Sequence, residues 1–138
     1  MQERVRYLDP VGAHPTIGQY SNVGIAAPGS LCFLAGQLAV GEGGEVVHAG
    51  DFDQQFDRVF ANIGLILEGI GCDFTDIVKF TTYLVHSQDI ARFRARRESL
   101  FPALYPDGVF PPNSLLVVDR LAREECLIEV EAVARLRG

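Results

Sequence analysis

Apolar side chains recur at Phe52, Phe56, Val59, Phe60, Ile63, Leu67 and Ile70. Steps of three, four and seven give a helix one face to lay on a sheet. Asp51 stands where such a helix would be capped, with Gln54 placed for a capping-box-like start. Gly69 and Gly71 mark its end. Upstream, residues 23–27 and 31–35 are short apolar runs parted by Pro28-Gly29-Ser30, the pattern of a hairpin. Gly41-Glu42-Gly43-Gly44 turns the chain again; with no GK[ST] ending and no helix behind it, it is not a phosphate loop. Residues 77–85 are rich in β-branched and aromatic side chains and predict a strand. Ser87 is placed to cap a second helix with Ile90, Phe93, Arg97 and Leu100 on one side, ending before Pro102. Strands over 113–118 and 126–134 close the chain. The order predicted is two or three strands, a helix, a strand, a helix and two strands. That is an α+β fold with two helices on one face of a mixed sheet.

Nothing in the 138 residues suggests a second domain: there is no repeat, linker or low-complexity tract, so residues 1–138 read as one domain. A net charge of −6 argues against nucleic-acid or anionic-membrane binding, which need a cationic surface. Cys32, Cys72 and Cys126 form no CxxC pair and read as apolar residues of a reduced protein. With no apolar run of spanning length and no signal-peptide pattern, the expectation is a cytoplasmic protein without membrane contact.

Period-two alternation in the last strand puts Leu127, Glu129, Glu131 and Val133 on one face and Ile128, Val130, Ala132 and Ala134 on the other. By spacing alone the two carboxylates read as a solvated face. Arg92, Arg94, Arg96 and Arg97 crowd six positions of the second helix, the pattern of an exposed charged surface. His14, His48 and His86 have no HxxxH or HExxH spacing, so no metal is expected, and no GxSxG or cysteine-nucleophile signature is present.

Four segments carry a resemblance: Gly18-Gln19-Tyr20-Ser21, Ala35-Gly36-Gln37, Phe110-Pro111-Pro112-Asn113-Ser114, and Ile128-Glu129-Val130-Glu131-Ala132. In order and spacing they resemble the YjgF/Rid family over residues 18–134. The resemblance implies a chorismate-mutase-like fold, a homotrimer, and small-molecule sites between subunits with no cofactor. It makes Glu129 the catalytic carboxylate, handling the proton of a water that attacks a C=N carbon, while Glu131 stays solvated. Tyr20 matches a pocket tyrosine, and Gly36 a turn whose backbone approaches the ligand.

The family's Pro-x-Arg-Ser/Thr pattern has Asn113 at the arginine position, with Leu115 adding an apolar wall on the same strand face. An arginine there grips a substrate carboxylate with a two-pronged guanidinium. Charge-assisted hydrogen bonds contribute roughly 1.5–3 kcal/mol, so the change should weaken a small 2-iminoacid by ~10- to 100-fold. Arg94, aligned with a pocket asparagine of the family, stands where a displaced anion site could form. The resulting expectation is a Rid-type hydrolase of an imine, enamine or related intermediate, with ordinary 2-iminoacid deamination in doubt. The alternative is a non-catalytic ligand-binding or chaperone-like trimer.

Overall fold

A computed structural model describes residues 3–138. Three strands precede the first helix: β1 (Val5–Leu8), β2 (Val23–Ala26) and β3 (Leu31–Gln37). Then come α1 (Phe52–Gly69), β4 (Ile77–Leu84), α2 (Asp89–Leu104), β5 (Asn113–Val117) and β6 (Ile128–Arg135). The main sheet has the order β3-β6-β4-β5, with β4 and β5 parallel and the other pairs antiparallel. This is the mixed sheet with two helices on one face that the pattern predicts. Ile128, Val130, Ala132 and Ala134 turn inward from β6 against Phe56, Val59, Phe60 and Ile63 of α1. An aromatic cluster around Phe60, with Phe56, Phe80 and Phe101 packed on its ring, joins both helices to the sheet.

The hairpin expected at residues 23–35 does not form. β2 pairs instead with β1, and β3 pairs with β6, so the two runs belong to different sheets. The carbonyls of Ala27 and Pro28 accept from the guanidinium of Arg135, and Ser30 O accepts from Leu136 N. Groups that a hairpin would have paired are thus satisfied by the end of β6, a long-range solution invisible to local turn chemistry.

The helix ends differ in detail. Asp51 caps α1 by accepting from Gln54 N at 3.1 Å. The Gln54 amide returns to the Asp51 carboxylate at 2.8 Å, while the Asp51 backbone N–H goes to His48 O. The capping box is therefore not reciprocal. Gly71 (φ +73°) follows α1, with Gly71 N bonded to Glu68 O and Cys72 N to Leu67 O, the left-handed closure glycine permits. At α2, Gln88 is the capping residue and no side chain supplies the cap bond; Ser87 contributes only its carbonyl, to Ile90 N. The helix also runs through Pro102 to Leu104. Only the bond a residue 102 N–H would have made is lost, and Tyr105 N still reaches Phe101 O. Cys72 and Cys126 are buried and Cys32 is half-buried, all three free. The glycine cluster is a turn closed by Gly44 N on Gly41 O at 2.9 Å.

Candidate functional site

Buried amides of α1 set the positions of β3 and β6. Gln55 accepts from Leu127 N at 2.8 Å and donates to Glu125 O at 3.0 Å and His48 O at 3.1 Å. Every polar atom of this fully buried side chain is used, and the start of β6 is tied to the helix two residues before Glu129. Asn62 donates to Leu38 O and Val40 O, and Arg58 to Val40 O, fixing the chain just beyond Gly36.

Glu129 emerges on the sheet face away from the helices, in a crevice of about 290 Å³ with Tyr83, Arg120, Leu121 and Glu131. Tyr83 lies opposite Glu129 in the β4–β6 register, but its phenol donates to Glu131 at 2.5 Å. Glu131 is thus tied down rather than simply solvated. Partial burial and, after it, the Glu131 charge push the Glu129 carboxyl upward. Gly36 lies directly beside it: a Cβ at position 36 would meet Glu129 Cδ at 2.7 Å and Cγ at 2.9 Å. The carboxylate fills the space that the missing side chain leaves.

Tyr20, Arg94, Asn113 and Leu115 meet elsewhere, in a crevice of about 240 Å³ that Ile17 and Arg97 also line. Asn113 faces the helix side of the sheet, where its Oδ1 accepts from the buried Thr82 hydroxyl at 2.8 Å. Its Nδ2–H2 donors stay available. The structure therefore divides the six expected site residues into two groups on opposite faces of the sheet. Within one chain, Glu129 and Gly36 stand apart from the other four.

The α2 arginines part company as well. Arg94 is exposed at the crevice, and Arg96 holds Asp57 of α1 with two bonds of 2.7 and 2.8 Å. Arg97 is only 4% exposed, a correction to the view of the run as one solvated surface. With Phe93 and Phe101 it forms an inward row four residues apart. Its guanidinium lies 5.0 Å from the Phe93 ring centre and 5.9 Å from that of Tyr20. Gly18 makes room for it, since a Cβ there would come within 2.7 Å of Nη2. Burial and the Arg94 charge hold the Arg97 pKa down to about 10, so it remains cationic at neutral pH. The helical spacing put Arg97 on the packing side; its cover by Gly18 and Tyr20 depends on loop 17–20, which the spacing does not describe.

A family model described as Endoribonuclease L-PSP matches residues 11–136. The chain belongs to the YjgF/Rid family. A solved Rid-family protein of unknown function from Yersinia pestis superposes with a TM-score of 0.84 at 30% identity, covering 96% of this chain and 99% of that one. A RutC family protein of Pyrococcus abyssi is 37% identical over 119 residues, 86% of this chain and 87% of the relative. A 2-iminobutanoate/2-iminopropanoate deaminase of Salmonella typhimurium is 32% identical over 106 residues, 77% of this chain and 80% of that enzyme. Among the described residues of this Rid-family chain, no helix is long and apolar enough to cross a membrane.

Proposed function

We propose that this chain is a Rid-type hydrolase of an imine, enamine or related electrophile, working in clefts formed between copies of a homotrimer. One observation carries the reading: Glu129 is a half-buried carboxylate with a raised pKa, seated against Gly36 on a sheet face that no helix covers. A raised pKa makes a carboxylate a better base near neutrality. Glu129 would take a proton from water as the oxygen attacks the C=N carbon and the π pair moves to nitrogen. Returning that proton to nitrogen completes the carbinolamine; Glu129 then carries the hydroxyl proton to the same nitrogen, and as the C–N bond breaks the oxygen pair forms the carbonyl and ammonia leaves.

The separation of the two residue groups supports assembly, because a second copy is needed to bring a Glu129 face to a Tyr20–Asn113 crevice. The uncovered face carries apolar groups suited to such contact: Phe33 is 76% exposed, and Leu31 and Leu116 are exposed as well. The neutral amide of Asn113 argues against short 2-iminoacids bound in the usual way. It equally favours the second reading, ligand binding without turnover.

Ammonia release over a panel of freshly generated imines, wild type against Glu129→Gln, separates the two. Turnover that falls at least about 100-fold in the variant supports hydrolysis. Saturable binding without turnover in the wild type supports the binding protein. A monomer at assay concentrations, measured by sedimentation, would remove the shared cleft.

A further inference from the structure

We infer that the crevice between loop 17–20, α2 and β5 is an anion subsite in which Arg97 clamps the carboxylate of an organic acid. The inference rests on the reading of that crevice as part of the ligand site.

The other buried charged groups among the described residues have partners. Asp76, fully buried, accepts from Arg4 at 2.5 Å and Arg137 at 2.8 Å. Arg97 is nearly as deeply buried, yet its Nε has no hydrogen-bond partner among the described residues. Among the described residues the acid-paired arginines are Arg4, Arg92, Arg96, Arg120 and Arg137, and Arg97 is not one of them. The ring faces of Phe93 and Tyr20 offset part of the lost hydration. They leave the directional capacity of the guanidinium unused, and the neighbouring Arg94 charge worsens the balance. An incoming anion relieves both at once.

The chemistry of the lining selects the kind of anion. With Oδ1 of Asn113 held by Thr82, the amide presents only donors to the crevice. Two guanidiniums and the Tyr20 phenol add further donors, and no carboxylate lines the space. The Tyr20 oxygen already accepts from Ile17 N, and a wall this rich in donors matches a group that only accepts. Ile17 and Leu115 make the remaining surface apolar, which suits a carboxylate on a short hydrocarbon body better than inorganic phosphate. The clamp thus lies on α2 rather than on β5, opposite Asn113, and would turn the ligand relative to one gripped from position 113.

The test is calorimetric titration of the purified, assembled protein with butyrate and its neutral isostere butyramide. Wild type should prefer butyrate by about tenfold or more, and Arg97→Met should bring the two within about twofold. Arg97→Lys keeps a charge without the planar fork and should fall between them. Should the Met variant not fold, the Lys variant decides, and an unchanged butyrate affinity there overturns the proposal. So does a wild type that binds both probes equally or neither. A preference surviving Arg97→Met has the same force, as does a variant that loses its assembly while keeping its affinity, since a partner copy would then be the guanidinium's counterpart. Glu129→Gln distinguishes the two readings: it should keep butyrate binding and lose turnover. If it keeps both, hydrolysis by Glu129 fails and the clamp stands.

Discussion

Substituting Gly36 with alanine tests the placement of Glu129 by geometry alone. Gly36 is not among the residues with positive φ, so alanine can adopt its backbone and the added methyl is the whole perturbation. That methyl would stand 2.7 Å from Glu129 Cδ. Carbon atoms settle at about 3.5–4.0 Å and Glu129 Oε1 lies closer still, so the carboxylate must retreat by at least about 1 Å. Forcing the glutamate off its rotamer costs about 0.5–1.5 kcal/mol. The loss of unfolded-chain entropy on replacing glycine returns ~0.4–1 kcal/mol. Net stability should therefore move by no more than about 1 kcal/mol, or ~4 °C in Tm for a chain of this size. A displacement of 1 Å at a reacting group costs about 100-fold in rate. Expected, then, is a large fall in ammonia release with calorimetry nearly unchanged. The double variant Gly36→Ala/Glu129→Gln should be no slower than Glu129→Gln alone, because both remove one function. Turnover within threefold of wild type, or additive losses in the double variant, would refute the reasoning. A Tm drop beyond about 10 °C would mean that the backbone, not the carboxylate, gives way.

Glu129→Gln should also change stability in a pH-dependent direction. The folded pKa of Glu129 lies above its ordinary value of 4.5, so its contribution is fully present below the unfolded pKa and lost as pH rises through the folded one. The variant should match wild type in Tm near pH 4 and exceed it at pH 7; a difference that does not vary with pH contradicts this. At Asp76, alanine removes the buried acceptor shared by Arg4, Arg137 and Asp73 N. Urea denaturation should register a loss of about 3 kcal/mol or more, and a loss below about 1 kcal/mol would show the cluster to be dispensable.

How much of this was legible in the sequence depended on the range of the interaction concerned. The α1 face was plain, because Phe56, Val59, Phe60 and Ile63 repeat with the helix itself. So was the sidedness of β6, where alternation alone separates Glu129 from Val130. The false hairpin at Pro28-Gly29-Ser30 arose because the turn's carbonyls are satisfied by Arg135, more than a hundred positions away. Pro102 misled in the opposite sense: its cost is confined to one bond near a helix end, and packing of Phe101 and Tyr105 outweighs it. At the site, residue types pointed to Glu129 and Asn113 but not to the sheet lying between them. Tyr83 and Gln55 were missed. Each matters through a partner fixed by strand register or loop path rather than by its own neighbours in the chain.

The three bonds of Gln55 have a dynamic consequence. Leu127 N–H lies just ahead of β6, where an amide would ordinarily exchange with solvent as quickly as any fraying strand end. Bonded to a side chain of α1, it can exchange only when that helix lifts. Its deuterium uptake should therefore keep pace with the amides of the first turns of α1, making one backbone proton a clock for how firmly the ground beneath Glu129 is held.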